Sequence, residues 1–291
     1  MNKSLQITLL FGSALLAAMS LSGQVTLVTD DFGYGAQAST TGLAGGSGWT
    51  GAYSDEGSPA AIANADLVFG NAASGYIDDN SSGTGLLAGT VDGSYNGAQN
   101  FRSLATSIDG TVAQDVYFSL VARLVTGDDF AWNVHVGLNT GTSPRFGISG
   151  DKVFVRDAST SYTDGVALTQ NVNWLIIGRY SINTSGANDN LEVWGFRDDT
   201  TTAVTLANLN SATADRYHVL DSLSDFVPST ISSINFVTDQ DAQVDQLRIA
   251  YGGTSQENLN AVLGVPEPST YALFLGFLAL GGILLRRRLR S

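Results

Sequence analysis

The chain has 291 residues, 27 acidic and 14 basic, for a net charge of −13. That acidic balance, with no basic stripe, excludes a nucleic-acid partner, because phosphate backbones are bound through clustered Lys and Arg. Cysteine is absent and only two histidines occur, which rules out disulfides and argues against a zinc site.

Residues 1–23 have the layout of a secretory signal peptide. Lys3 supplies the positive start, and Leu5 to Met19 form an apolar stretch broken by Gln6, Thr8 and Ser13. Small residues follow at Ser20, Ser22 and Gly23, so cleavage falls after Ser22 or Gly23. Setting Lys3 and the four C-terminal arginines aside leaves nine bases against 27 acids, a net −18 over residues 24–285. Such a surface suits solubility and divalent cations.

The body reads as many short strands separated by turn residues. Val25 to Val28 alternate into Asp30-Asp31-Phe32, and Gly33 to Tyr53 follow as a Gly-rich loop around Gly48-Trp49. No lysine stands near that loop and no strand–GxxxxGK[ST]–helix context surrounds it, so it is expected to fold back over Trp49, not to cradle a phosphate. Short apolar runs recur at Leu67 to Phe69, Gly85 to Gly89 and Ala98 to Leu104. Val116 to Leu124 form a stronger strand. Phe130 to Leu138 then alternate with a period of two, as expected of one buried face. Hairpins follow at Arg145–Ile148 with Val153–Arg156, and at Asn173–Ile182 with Asn190–Phe196. Residues 203–225 are ambiguous, with a short helix expected over Ala212 to Leu223. Ile231 to Val237 and Gln243 to Tyr251 close the body. Turn signals every 8–15 residues or so, with no sustained helical period and no internal repeat, are the expectation for an all-β sandwich.

The order Asp30-Asp31-Phe32, Gly48-Trp49, Phe118 to Arg123, Arg145 to Ile148, Trp174 to Arg179, Asn188 to Trp194 and Val244 to Ile249 resembles the concanavalin A-like (LamG-like) jelly-roll domains. The resemblance covers about residues 25–255. It implies a jelly-roll β-sandwich and makes carbohydrate binding the natural candidate activity, through aromatic side chains such as Trp132, Trp174, Tyr180 and Trp194. It also implies that the first and last strands are neighbours. That would bring Asp30 and Asp31 toward Asp241 and Asp245, with Asp239 nearby, where carboxylates and backbone carbonyls could hold a structural calcium.

Catalytic signals are weak. Retaining glucanases of this fold need alternate acids on one strand about 5 Å apart, whereas Glu192 is followed by Val193-Trp194-Gly195-Phe196. His135 sits on the polar face of its strand and His218 in an unclear segment. Neither accompanies a nucleophile elbow, and both read as surface residues.

The C-terminus is more explicit. Tyr271 to Leu285 are 15 residues without a charge or proline. Adding Ser269 and Thr270 brings the run to about the lower length limit of a membrane-spanning helix. Arg286, Arg287, Arg288 and Arg290 close it and would hold that end on the cytoplasmic side. Val265-Pro266-Glu267-Pro268-Ser269 precede it, and two prolines stiffen an extended backbone there. Motif, apolar run and basic cluster together resemble the PEP-CTERM sorting signal. By that resemblance Pro266, Glu267 and Pro268 are substrate residues for an exosortase, a membrane transpeptidase that cleaves near the motif.

The expectation is therefore a signal peptide over 1–23, an all-β concanavalin A-like jelly-roll β-sandwich over 24–255, a linker over 256–264 and a sorting tail over 265–291. That tail carries one transmembrane helix over about 269–285. The protein is expected to be an exported, non-enzymatic surface or matrix protein that meets the secretion machinery, an exosortase and the inner membrane. A glycan-binding module acting on exopolysaccharide and, more distantly, a glycoside hydrolase are the alternatives.

Overall fold

A computed structural model describes residues 24–34, 41–56, 61–62, 67–70, 75–77, 86–87, 98–124, 134–139, 144–156, 161–163, 166–183, 189–223, 229–238 and 242–265. Residues 1–23, expected as a signal peptide, lie outside the described residues, as do Trp132, Asp239, Asp241, the Pro-Glu-Pro motif, the apolar run and the terminal arginines.

Fifteen strands occur among the described residues. They are β1 (Thr26–Asp30), β2 (Trp49–Glu56), β3 (Ala61–Ile62), β4 (Leu86–Leu87), β5 (Ala98–Asp109), β6 (Gln114–Leu124), β7 (Val134–Leu138) and β8 (Arg145–Ser149). There follow β9 (Lys152–Arg156), β10 (Ser161–Thr163), β11 (Asn173–Ile182), β12 (Asp189–Arg197), β13 (Arg216–Leu223), β14 (Thr230–Thr238) and β15 (Ala242–Tyr251). Two helices join them, α1 (Leu206–Asn210) and α2 (Ser255–Val262). Sheet A runs β13-β12-β11-β6-β15-β4-β3, with β1 also paired to β15, and sheet B runs β10-β9-β8-β7-β14-β5-β2. The pairings described are antiparallel. The expected β-sandwich is therefore present.

The sandwich core follows from period-two alternation. Val116, Phe118, Leu120, Ala122 and Leu124 of β6 face the interior between the sheets, with Val134, Val136 and Leu138 of β7 and Phe146 and Ile148 of β8. At the centre, Phe118, Phe146 and Tyr180 pack edge to face at 5.4–6.0 Å. Gly178 makes room for this group, since a Cβ there would lie 2.4–2.6 Å from the Phe146 ring.

Sheet A is buried on its other face as well. Tyr117, Val121, Leu175, Ile177, Trp194 and Phe196 point outward into a second core, closed by Leu67, Phe69, Leu209 of α1 and Leu259 and Val262 of α2. This explains why β6 and β11 read as nearly unbroken apolar runs: both of their faces are covered.

Two expectations change. Residues 216–223 form β13 instead of helix, since they pair with β12 and Tyr217 stacks on Trp194 at 5.6 Å. The helix in this region lies earlier, where Thr205 caps α1 by accepting from the Asn208 N–H. The stretch 256–264, expected as a linker, belongs to the domain. Thr254 and Glu257 form a capping box at the start of α2, and Leu259, Val262 and Leu263 are buried on sheet A. The short polar spacing of Ser-Gln-Glu-Asn hid that amphipathic turn. Among the described residues no helix is long and apolar enough to cross a membrane.

Candidate functional site

The terminal strands are neighbours, as expected: Asp30 of β1 lies opposite Leu247 of β15. Val28 and Phe32 belong to the sandwich core, so Asp30 between them also faces sheet B. There its Oδ2 receives the Arg102 Nη1 of β5 at 2.5 Å, the Tyr34 hydroxyl at 2.7 Å and the Tyr53 hydroxyl at 2.9 Å, while Oδ1 accepts the Phe32 N–H at 2.9 Å. Burial raises the Asp30 carboxyl above the ordinary carboxylate value, and these donors together with the Arg102 charge pull the other way. The ionised form is the one that accepts from all four at once. Desolvation and the Asp30 charge push the Tyr34 and Tyr53 hydroxyls up.

Arg102 is satisfied on every side. Its Nη2 donates to the Gly45 carbonyl at 2.7 Å and its Nε to the Gly51 carbonyl at 3.2 Å. The guanidinium lies over Trp49 and Tyr53, 5.0 and 4.9 Å from the ring centroids. The Gly-rich loop thus closes on an arginine. It also pairs with β1 through reciprocal Thr29–Ser47 bonds of 3.0 and 2.9 Å. Gly46 permits this approach, because a Cβ there would stand 1.9 Å from the Thr29 oxygen. Trp49 folds back as expected, its indole N–H donating to the Thr29 carbonyl at 2.9 Å.

Asp245 points the other way. A register shift against β6 lies between Asp245 and Arg248, with Gln246 at φ 53°. Asp245 accepts the Leu67 N–H at 3.3 Å and the Gln246 N–H at 2.8 Å on the outer face of sheet A. Beside it, Gln246 Oε1 accepts from the Tyr76 hydroxyl at 2.7 Å, and Arg248 donates to the Ile77 carbonyl at 2.9 Å while lying over the Tyr76 ring. An open hollow of about 110 Å³ lies between Thr29–Asp31, Gly46 and Gln246–Arg248. Asp31 is exposed and accepts the Gly33 N–H at 3.1 Å.

These positions do not fit a calcium ion. Asp30 and Asp245 face opposite sides of sheet A, Arg102 holds the Asp30 oxygens, and Arg248 borders the hollow beside Asp31. A hard cation needs six to eight oxygens around one point, and among the described residues no cluster of three or more metal-ligating side chains occurs. Asp241 lies outside them.

Glu192 is held by Arg179, through Nε at 2.7 Å and through Nη2. Arg179 also donates to the Tyr117 hydroxyl at 3.2 Å and to Asn210 at 3.0 Å. Burial pushes the Tyr117 hydroxyl up to about 12. Trp174, Tyr180 and Trp194 are core residues, each no more than 1% exposed. His135, expected at the surface, is buried beside Phe154 at 4.8 Å. Burial first, then the charges of Arg145 and Arg156, hold its imidazole well below the usual histidine range. His218 lies in β13.

Arg102 is the residue that sequence reasoning passed over. A signal existed: in the strand expected over 98–104 it shares its parity with the apolar Leu104, so a cation was placed on the buried face.

No protein-family model matches the chain, and no curated protein sequence does. Among solved structures the chain is similar to a protein of unknown function from Shewanella oneidensis MR-1, at 11% identity over 84% of this chain and 95% of that one, with a TM-score of 0.43. It is similar to lectin II from Ulex europaeus at 7% identity, over 79% and 98% of the two chains, with a TM-score of 0.43. Peanut lectin is similar at 10% identity over 68% and 97%, with a TM-score of 0.39.

Proposed function

We propose that this is an exported, non-enzymatic surface or matrix protein. Its concanavalin A-like jelly-roll body is delivered by the signal peptide and processed through the PEP-CTERM tail. The observation that carries this reading is that a docked helix, α2, leads directly into the proposed motif. Leu263 is 3% exposed, and the Val265 N–H donates to the Asn260 carbonyl at 2.9 Å with its side chain against the second core. Pro266 is the next residue, so the proposed processing motif follows directly on this docked segment. Cleavage near Pro-Glu-Pro would leave α2 and its contacts with sheet A in the body. Peptide mass mapping of the protein from its host tests this. The expected mature chain lacks the signal peptide and everything beyond the Pro-Glu-Pro region, and a host without exosortase keeps the tail. A full tail retained in the unmodified host overturns it.

The non-enzymatic part of the reading is supported by how the strand acids are used: Asp30 and Glu192 are held by arginines and Asp245 by backbone N–H groups. A second reading, a module that binds exopolysaccharide, is favoured by the outer face of sheet B. There the half-buried Arg145 and Arg156 share one side, opposite to the core residues Phe146 and Val155 of the same strands. Retention of the full chain, in detergent, on immobilised polysaccharide without release of reducing sugar is the expected result of that reading.

A further inference from the structure

Residue 24 and Pro266 both lie on one side of the body. Val25 packs against the second core, and Gln24 lies beside the β15–α2 turn, where a Cβ at Gly252 would stand 3.0 Å from the Gln24 carbonyl oxygen. From that turn α2 runs back over the outer face of sheet A. At its start Ser255 donates to the Asp115 carboxylate of β6, and Asn258 to the Asp115 carbonyl at 2.9 Å. At its end the Val262 carbonyl accepts from Ser119 at 2.7 Å and Arg248 at 3.3 Å. The Leu263 carbonyl accepts the Ile77 N–H at 2.8 Å, and Gly264 then turns the chain at φ 76°. Pro266 therefore follows on the second-core side of sheet A, the side away from sheet B.

Exposed apolar side chains gather on the same side. Among the described residues the large ones are Leu27, Val68, Ile77, Val112 and Val166. Leu27 alternates with the sandwich-core residue Val28, so it faces outward from sheet A with Val25. Val68 stands between Leu67 and Phe69, which close the second core, and Ile77 follows Tyr76 of that core. The three are strung along β15: Leu27 lies opposite Ala250, Ile77 is held by Arg248, and Leu67, next to Val68, is held by Asp245.

We propose that this face rests on a phospholipid surface while the tail is attached, with Leu27, Val68 and Ile77 in the headgroup layer and sheet B turned away from the membrane. This rests on the reading of the tail as a membrane anchor and names the surface that the anchor presses down. Length fixes the orientation. Residues 266–270 separate Val265 from the apolar run, and five residues reach at most about 18 Å even when fully extended. A body of about 240 residues has a radius of gyration of about 18 Å, so it is broader than its tether is long and cannot turn over. Charge does not draw the acidic body down, so the contact is apolar and does not need anionic lipid.

The chain has no cysteine, so one introduced cysteine carries a unique label. The test reconstitutes the full chain into phosphatidylcholine vesicles that contain a lipid with a nitroxide headgroup. An environment-sensitive fluorophore is placed at Val68→Cys, Ile77→Cys or Val166→Cys. Val166 is the distant control, two residues before Leu168, whose N–H donates to the Asp151 carbonyl in the β8–β9 turn of sheet B. The expected result is a blue shift and nitroxide quenching at positions 68 and 77 and neither at 166. Leu27→Asp with Val68→Asp should abolish the shift at 77, with flotation of the vesicles and the melting temperature in detergent unchanged. Chains that do not float with the vesicles overturn the anchor reading and the contact with it. Chains that float but are quenched equally at 77 and 166, or at neither, overturn the contact and leave the anchor standing. A shift at 77 that grows with protein density and escapes the nitroxide assigns the face to a second copy of the chain and overturns the lipid.

Discussion

Asp30 and Arg102 tie the two sheets together across the sandwich, at 2.5 Å and with side chains 0% and 3% exposed. Neither strand could hold such a charge alone. Replacing one partner strands the other, buried and uncompensated, at a cost of about 3–5 kcal/mol. Urea unfolding of the full chain in detergent is expected to show losses of that size for Asp30→Asn and Arg102→Met. The double variant Asp30→Leu with Arg102→Met should lose less than the sum of the singles, because it removes both charges. Strict additivity would mean that the two side chains do not act as a pair.

Gly178 and Phe146 make the corresponding prediction for the apolar core. A Cβ at position 178 would meet the ring 2.4–2.6 Å away, so Gly178→Ala must push Phe146 off Phe118 and Tyr180. Overpacking of this kind costs about 1–3 kcal/mol. Adding Phe146→Leu should recover part of the loss, and a neutral Gly178→Ala would show that the ring is not seated there.

His135 should make the protein sensitive to acid. Its folded-state pKa lies well below the ordinary value near 6.5 because it is buried and faces Arg145 and Arg156. The unfolded chain therefore takes up a proton near pH 6.5 that the folded chain refuses. The stability this group contributes is complete above pH 6.5. It is lost as pH falls below that value, at up to about 1.4 kcal/mol per pH unit. Unfolding free energies at pH 7.5 and 5.5 should differ by less in His135→Gln than in the parent. Equal differences in both would place the acid sensitivity elsewhere.

The strands were legible where apolar and polar residues alternate, because alternation such as Val134, Val136 and Leu138 has a single reading. Legibility failed for three physical reasons. Residues 216–223 are polar enough to fit helix, and only their pairing with β12 decides them. The helix at 255–262 is short, and its apolar face at Leu259 and Val262 means little until sheet A is known to be buried on both sides. The acids misled because sequence order shows which strands meet but not which face each side chain takes. A one-residue irregularity at Gln246 is enough to put Asp245 out of phase with the inward positions that follow it.

That irregularity bears on calcium. Asp245 accepts two backbone N–H groups and lies across the sheet from Asp30. Asp245→Ala should therefore cost about 1–3 kcal/mol by leaving buried donors unmatched, equally in millimolar calcium and in chelator. Thermal unfolding with and without calcium distinguishes this from a metal site. A rise in melting temperature with calcium that disappears in Asp245→Ala would contradict the geometry.

The last expectation concerns the end of the body. If residues 256–264 merely connected domain to tail, their apolar side chains would contribute nothing to folding. Leu259 is 0% exposed in the second core, and α2 is also fastened at its backbone, where the Val262 carbonyl accepts the Ser119 hydroxyl at 2.7 Å. Leu259→Ala should cost about 2–5 kcal/mol, and the same substitution at exposed Val112 less than about 0.5 kcal/mol. Processing of the tail should leave this intact. Chains isolated before and after cleavage beyond Val265 are expected to share one urea midpoint, whereas a cut before α2 would expose the second core and lower it sharply. The position of α2 thus sets the earliest point at which the tail can be removed without unfolding what it delivered.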